Sequence, residues 1–325
     1  MTKMNMVEAI NACLKQEMER DRSIVVLGED VGVDGGVFRV TEGLYDKFGR
    51  ERVLDTPLSE SGIIGMAIGM ATYGLRPVAE IQFQGFEYNA YHQFVQHAAR
   101  LRNRTRGTFT VPMVVRLPSS GGIRALEHHG ESLESAYIHI PGLKVVYPSS
   151  PYDAKGLLAA ALVEDDPVLY FEPKRLYRAF REEVPGERYE IEIGKAKVLK
   201  EGNDVTLISW GAMTYVSKDA VAEAEGQGMS VEQIDLRTLA PCDWDTVISS
   251  VKKTGRCIIV HEAAKTLGFG AEISARINEK ALLSLEAPVR RVTGWDIQIP
   301  YPKQEEYYFP DKKRILDAIV ETARF

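Results

Sequence analysis

The sequence predicts two α/β domains, each built around a mainly parallel sheet. Short aliphatic runs alternate with helical patterns along most of the chain, which is typical of strand–helix–strand units. The chain has 325 residues, and a domain takes roughly 150. Charged residues, Pro185 and Gly186 interrupt the periodicity between 180 and 202. We therefore predict a first domain at 1–185, a linker with a short hairpin at 186–203, and a smaller second domain at 204–325.

Five strands are predicted in the first domain, at 24–28, 78–82, 113–117, 145–147 and 168–171. A helix is predicted after Ser150, because its hydroxyl can cap free N–H groups and Pro151 suits the first turn. Another is predicted over 86–100, where apolar residues recur every four positions from Phe86 to Ala98. The second domain repeats this alternation, with strands at 205–210, 231–236, 257–261 and 289–292 and helices from Trp244, Ala271 and Lys312.

Composition and charge exclude several classes of protein. Hydrophobic residues make up 45% and charged residues 26% of the chain, as in globular proteins. The net charge of -6 provides no general attraction to nucleic acid. The most apolar stretches, 62–71 and 157–163, are far shorter than the roughly 20 residues of a membrane span. The first residues lack the pattern of a secretion or transit signal, so a cytoplasmic location is expected.

Common catalytic and metal-binding motifs do not account for the chain. No nucleophile elbow, Walker loop or complete dinucleotide fingerprint is found. His92 and His97 are five residues apart, so they diverge around a helix and cannot clamp one zinc ion. The three cysteines, Cys13, Cys242 and Cys257, are widely separated and are expected to be reduced and buried. The arginines between 100 and 106 are interpreted as a solvated or subunit-facing group.

The segment from Asp55 to Pro77 carries the strongest functional signal. Glu60 precedes a helical run that is almost free of charge and rich in glycine. Gly65 and Gly69 share one side of this helix, so another backbone or subunit can approach closely there. A carboxylate at this position also stabilises a helix dipole without any catalytic role. The spacing of the segment distinguishes the two interpretations.

The spacing from Glu60 to Met70, E-x4-G-Φ-x-x-G-Φ with Φ apolar, resembles the pyrimidine-binding domain of thiamine diphosphate enzymes. The segments LGEDVG, AEIQF, HHGESLES, FEPKRLYRA, VTLISWG, IDLRTLAP and VTGWD extend the resemblance over the whole chain. Together they are similar to the beta subunit of 2-oxo acid dehydrogenases. The branched-chain type, 2-oxoisovalerate dehydrogenase, is the nearest and the pyruvate type is next. This implies a transketolase-like pyrimidine domain followed by a smaller domain of the transketolase C-terminal type.

The resemblance implies a cofactor-binding set of Glu29, Leu58, Ser59, Glu60, Gln82, Phe86 and Asn89. Glu60 would manage the proton at N1′ of the aminopyrimidine, and Glu29 would lie beside it as a second carboxylate. Two acids in one pocket disfavour double ionisation, so they are expected to share a proton. Gln82 would offer its amide to the pyrimidine edge, and Phe86 would stack on the ring. Glu29 as a solvated turn residue and Phe86 as ordinary core remain alternatives.

His129 matches the active-site histidine of the family, in a loop without regular periodicity. Its implied task is proton transfer and orientation during acyl transfer to the lipoyl disulfide. His128 competes for this role, although the pattern H-x-x-S-L-E favours His129. Substrate-lining residues implied by the resemblance are Phe83, Gln84, Gly85 and His129. Arg124, Leu126 and Glu127, in the same loop, have no assigned role.

The chain lacks a GDG motif followed by NN, which holds magnesium and the cofactor's diphosphate in this family. The resemblance therefore implies an alpha subunit that holds Mg²⁺ and shares thiamine diphosphate in an α2β2 heterotetramer. Lipoamide on an acyltransferase core would accept the acyl group, with docking at the C-terminal domain. Phe325 is a possible anchor, and a frayed terminus is the alternative. A pyruvate or acetoin substrate and a non-catalytic assembly scaffold remain the competing hypotheses.

Overall fold

The computed structural model describes residues 1–325, and their contacts divide the chain into two units. Unit 1 comprises residues 1–123 and 128–193, and unit 2 comprises residues 124–127 and 194–325. The division between Ile193 and Gly194 falls inside the segment that the sequence predicts as a linker. No helix combines the length and the apolar character that are needed to cross a bilayer.

Unit 1 contains eight strands and six α-helices. The strands are β1 (Thr2–Met4), β2 (Ile24–Gly28), β3 (Val53–Asp55), β4 (Arg76–Glu80), β5 (Val114–Ser119), β6 (Lys144–Val146), β7 (Val168–Pro173) and β8 (Glu182–Val184). The helices are α1 (Met6–Arg20), α2 (Leu44–Phe48), α3 (Glu60–Thr72), α4 (Leu101–Arg104), α5 (Glu134–Ile138) and α6 (Pro151–Ala161). Six strands lie side by side in the order β6-β7-β5-β4-β2-β3, and all these neighbours are parallel.

Sequence patterns identify the central strands of unit 1 well. Strand β2 coincides with the predicted segment, and all five of its residues are buried. Buried parallel strands read as continuous apolar runs because helices cover both faces of the sheet. Helix α6 begins as predicted, with Ser150 accepting a hydrogen bond from the N–H of Asp153 and Pro151 in the first turn. The start of this helix is therefore encoded locally.

Two local predictions are wrong. The segment 86–100 is not one α-helix, because it divides into a 3₁₀-helix at Gln84–Ala90 and a π-helix at Gln93–Ala98. Ala90, Phe94 and Ala98 are buried, as the four-residue spacing predicts, but Phe86 is only half-buried. The predicted hairpin is also absent. Strand β8 instead pairs antiparallel with β1. Its backbone hydrogen bonds therefore go to β1 and not to a second strand of a hairpin.

Helix α1 was missed although its start carries a local signal. Asn5 accepts a hydrogen bond from the N–H of Glu8, and the Glu8 side chain accepts one from the N–H of Asn5. This reciprocal capping box is visible in the sequence as N-x-x-E. Its buried face, which includes Ile10 and Leu14, packs against α6.

Unit 2 contains strands β9 (Lys197–Lys200), β10 (Val205–Ser209), β11 (Val231–Asp235), β12 (Thr238–Ala240), β13 (Cys257–Ala264) and β14 (Arg290–Gly294). Its helices are α7 (Ala212–Gly226), α8 (Trp244–Thr254), α9 (Phe269–Ala281), α10 (Glu305–Tyr308) and α11 (Lys312–Ala323). Five strands form a sheet in the order β14-β13-β10-β11-β9, in which only β9 is antiparallel. Cys13 and Cys257 are buried free thiols, whereas Cys242 is half-buried.

Candidate active site

The predicted site residues of unit 1 follow the carboxyl ends of three neighbouring strands. Glu29 follows β2, residues 58–60 follow β3, and Gln82 and Phe83 follow β4. These strands are adjacent and parallel, in the order β4-β2-β3, so their ends lie at one edge of the sheet. Ligands of open α/β sheets bind at this edge. The topology therefore brings together residues that are up to 54 positions apart.

Glu60 and Glu29 form the acidic part of the site. Each carboxylate residue is only 7% exposed, and Glu60 is the first residue of α3. Burial raises the pKa of Glu29, and the negative charge of Glu60 raises it further. One oxygen of Glu29, Oε1, is buried without a hydrogen-bond partner. Glu29 thus has both a raised pKa and an unused acceptor oxygen.

Asn89 and Ser59 complete the surroundings of Glu60. The Asn89 amide nitrogen lies 3.4 Å from Glu60 Oε2, in donor position. Ser59 is the N-cap of α3, yet its hydroxyl makes no capping hydrogen bond. Leu58 is 81% exposed. The turn before α3 therefore presents an apolar side chain and an uncommitted hydroxyl at the surface of this chain.

Gln82 forms a hydrogen bond with Asp30, a residue that the sequence did not identify as part of the site. Its Nε2 donates to Asp30 Oδ2 at 2.9 Å. Asp30 has a positive φ of 58°, in the left-handed region that few non-glycine residues adopt. The hydrogen bond orients the Gln82 amide and leaves its oxygen and its second N–H for another group.

Three rings bring His129 into the site. The centroid of the His129 ring lies 4.4 Å from that of Phe83 and 5.0 Å from that of Phe86, with the second pair edge to face. Phe83 and Phe86 also pack edge to face, at 5.4 Å. His128 points elsewhere: its side chain is 53% exposed, and its Nδ1 lies 3.9 Å from Glu131 Oε1. This geometry favours the second histidine of the pair as the site residue.

Gln84 and Gly85 contact the loop that carries His129. The Gln84 amide, oriented so that both of its ends are satisfied, donates to the Glu131 carbonyl and accepts from the Leu133 N–H, each at 2.8 Å. A Cβ added at Gly85 would lie 2.0 Å from the His128 carbonyl oxygen. Both residues therefore contact the loop that carries His129. Their predicted position beside the substrate stays a prediction.

Sequence reasoning missed a buried ionic group beneath the site. Arg116 on β5 is fully buried and forms ion pairs with Glu80 on β4 and Glu172 on β7. The bonds to Glu172 measure 2.7 and 2.8 Å, and Tyr177 donates to the same carboxylate at 2.6 Å. Burial raises the pKa of Glu80, while Arg116 opposes that shift. The available signal was a charged residue within each of three largely apolar strands.

Comparison with known proteins gives a consistent result over the whole chain. Residues 2–179 match the transketolase pyrimidine-binding domain, and residues 194–315 match the transketolase C-terminal domain. A solved structure described as a split gene transketolase, an inactive beta4 tetramer, superposes with a TM-score of 0.81 over 99% of both chains at 21% identity. That similarity shows the fold, a pyrimidine-binding α/β domain followed by a transketolase C-terminal domain.

Two curated relatives are far more similar in sequence. Pyruvate dehydrogenase E1 component subunit beta from Acholeplasma laidlawii is 56% identical over 319 residues, which is 98% of each chain. The protein of the same name from Staphylococcus epidermidis is 52% identical over all of both chains. The two domain matches and this full-length identity together show that the chain belongs to the E1 beta subunits of the 2-oxo acid dehydrogenases.

Proposed function

We propose that this chain is the beta subunit of a thiamine diphosphate-dependent pyruvate dehydrogenase, which decarboxylates pyruvate oxidatively and passes the acyl group to lipoamide. The sequence alone favours a branched-chain 2-oxo acid, but relatives at 52 to 56% identity are named for pyruvate. They support the alternative hypothesis better. Acetoin and 2-oxoisovalerate remain competing substrates for the assay.

The buried pair of Glu29 and Glu60 is the observation that carries this proposal. When bound, thiamine diphosphate supplies a carbon nucleophile whose formation depends on the protonation of its own aminopyrimidine. A buried carboxyl group suits that task because it can hold a proton and hydrogen-bond to N1′. Glu60 would make this contact, and Glu29 would share the proton. The Gln82 oxygen would accept from the pyrimidine edge, and Phe86 would pack on the ring.

His129 would act in the later transfer step. Its ring is fixed between Phe83 and Phe86, on the same edge of the sheet as Glu60. An imidazole can give or take a proton near neutral pH. We assign to it the delivery of a proton to a lipoyl sulfur as the disulfide opens. Phe83 would border the substrate side chain and exclude water from this position.

The remaining parts of the site are assigned to partners. Mg²⁺ and the diphosphate would be held by an alpha subunit in an α2β2 assembly, because this chain lacks the GDG and NN motif that holds them in the family. Helix α3 supports such an interface, because Met66 is 38% exposed and Gly69 has open space beside it. The acyltransferase core would dock on unit 2, where Phe325 is 73% exposed. A cytoplasmic location is part of the same proposal.

Substitution of Glu60 by glutamine tests the proposal. In the reconstituted α2β2 complex, E60Q should lower decarboxylation with an artificial electron acceptor at least about 100-fold, because the amide cannot exchange a proton with N1′. Asp245 provides a matched control, since it lies in the first turn of α8 and is exposed. D245N should remove a helix-dipole carboxylate without loss of activity.

Two results would contradict the proposal. Near-normal turnover of E60Q would reduce Glu60 to a helix-stabilising residue. Failure of the reconstituted wild-type complex to bind thiamine diphosphate in a calorimetric titration would favour the scaffold hypothesis. Substrate preference is decided by kcat/KM for pyruvate, 2-oxoisovalerate and acetoin. A higher value for 2-oxoisovalerate would restore the branched-chain assignment.

A further inference from the structure

The loop that carries His129 is attached at one end by backbone hydrogen bonds. The Glu131 carbonyl accepts from the Ser120 N–H at 2.8 Å and from the Gln84 amide at 2.8 Å. The Leu133 N–H donates to the other end of the same amide. A single buried side chain, Gln84 at 1% exposure, therefore joins two residues of the loop that lie two and four positions beyond His129.

Gln84 has a second buried polar side chain next to it, that of Glu87. Glu87 is 0% exposed, and Tyr137, on the short helix α5, is 1% exposed. Both Gln84 and Tyr137 lie within hydrogen-bonding range of the Glu87 carboxyl group. Neither carboxyl oxygen yet makes a well-formed hydrogen bond in the protein. Glu87 is thus a buried polar group whose interactions are all directed at the loop and at the helix that follows it.

The charges around Glu87 argue for a neutral acid. Burial raises its pKa well above the usual range, and this effect outweighs the opposing hydrogen bonds from Tyr137 and Gln84. The negative charges of Glu134 and Glu131 raise the pKa further. A neutral carboxyl group is both a donor and an acceptor, so it can bond to the Gln84 amide and the Tyr137 hydroxyl together.

The same short segment also carries the rings that hold His129. Phe83, Gln84, Gly85, Phe86 and Glu87 are consecutive, and each contacts either the histidine ring or the group that holds its loop. Gly85 closes on the His128 backbone, which leaves the loop little freedom to shift toward this segment. A change in the Gln84 orientation would break its hydrogen bonds to Glu131 and Leu133, so the loop could move away from Phe83 and Phe86.

We infer that Glu87 is a positioning residue, which holds Gln84 and Tyr137 so that the loop presents His129 to the reacting groups. The inference rests on the proposed function, since it assigns Glu87 to the step in which His129 acts. Glu87 acts through Gln84 and does not touch the substrate. A residue that only filled space would be replaced equally well by leucine and by glutamine, whereas a hydrogen-bonding residue is replaced only by glutamine.

The test compares E87L with E87Q in the reconstituted α2β2 complex. Amide hydrogen exchange is measured for a peptide that spans residues 130–134. We expect E87L to raise the exchange rate of the Leu133 amide about ten-fold, the loss of roughly one hydrogen bond, and E87Q to leave it within about two-fold. Acyl transfer to lipoamide should fall about ten-fold in E87L, while decarboxylation with an artificial acceptor stays within about two-fold.

Further variants keep the test decisive if E87L does not assemble. Q84L and Y137F each remove one of the two side chains that Glu87 is proposed to hold. Both variants should have the same effects as E87L on amide exchange and acyl transfer. The double variant E87Q/Q84L should be no worse than Q84L alone, because coupled residues are non-additive. Exchange and transfer at wild-type levels in both E87L and Q84L would overturn the inference.

Two outcomes separate this inference from the proposed function. If the wild-type complex has no thiamine-dependent turnover, the proposed function fails, while the exchange rates still report whether Glu87 holds the loop. If the wild-type complex is active and E87Q is as impaired as E87L, a neutral hydrogen-bonding side chain does not suffice. That result would refute Glu87 as a neutral positioning residue.

Discussion

We expect the buried His261 to lower the stability of the folded protein as the pH falls. The residue lies on β13 and is fully buried, with its ring stacked on Trp210 at 5.1 Å and an interplanar angle of 14°. Gly268 and Gly270 pack against it, since a Cβ at either would lie within 3 Å of the ring. Neither ring nitrogen makes a well-formed hydrogen bond. Burial, assisted by the positive charge of Arg291, lowers the pKa of His261 to about 3.

The direction and size of this change in stability follow from the difference between the pKa of His261 in the folded and unfolded states. An unfolded histidine titrates near 6.5, so the unfolded chain takes up the proton first as the pH falls. The contribution to stability is complete above pH 6.5 and is lost progressively down to pH 3. A pH of 5 lies about 1.5 units below the unfolded pKa of 6.5, and each unit corresponds to about 1.36 kcal/mol. The loss of stability at pH 5 is therefore about 2 kcal/mol. A melting temperature lower by roughly 4–8 °C at pH 5 than at pH 7.5 is expected from this group.

The assay is thermal unfolding of the full chain between pH 5 and 7.5, for the wild type and H261F. Phenylalanine keeps an aromatic ring beside Trp210 but cannot bind a proton. Its larger ring will cost some stability at every pH, so the measured quantity is the difference in pH slope between the two proteins. All other titrating groups are common to both and cancel. Parallel slopes would refute the argument, and a flatter slope in H261F would support it.

Three further outcomes are expected. R116M should lower the free energy of unfolding by about 3–5 kcal/mol in urea denaturation, because Glu80 and Glu172 lose their buried partner; a loss below about 1 kcal/mol would contradict this. G85A should reduce lipoamide acylation at least about ten-fold and lower the melting temperature, because the added methyl would lie 2.0 Å from the His128 carbonyl oxygen and displace that backbone; unchanged acylation would contradict that. Deletion of Phe325 should leave unfolding unchanged and weaken binding to the acyltransferase core measured by calorimetry, and equal affinity would remove Phe325 as an anchor.

The fold was predictable where burial alone determines the local pattern. Strand β2 is apolar at every position because both faces of the sheet are covered. Helix α6 was predictable because its cap is a local interaction of Ser150. The segment from Gln84 to Ala98 was not, because its 3₁₀ and π turns depend on contacts with distant residues. Gly85, for example, is held against the backbone of His128, 43 positions along the chain.

The candidate site was predictable only in part for a similar reason. Spacing within one helix marked Glu60, and a local pattern marked His129. Asp30, Arg116 and Glu87 had no such signal, since their roles arise from neighbours on other strands or helices. Arg116 becomes significant only when β4, β5 and β7 are adjacent. Glu87 lies one residue from Phe86 in a segment predicted as an ordinary amphipathic helix, and its burial depends on Tyr137.

The balance of charge at this sheet edge gives a physical reason for its chemistry. Burial raises the pKa of Glu29, the negative charges of Glu60, Asp30 and Glu80 raise it further, and a hydrogen bond from the Ser59 backbone opposes the shift. Arg116 is a buried cation nearby, and its guanidinium is already shared between Glu80 and Glu172. Burial and three neighbouring carboxylates therefore all favour the protonated form of Glu29. In the proposed function, a protonated Glu29 would place a proton beside Glu60, the carboxyl group that we assign to N1′ of the aminopyrimidine.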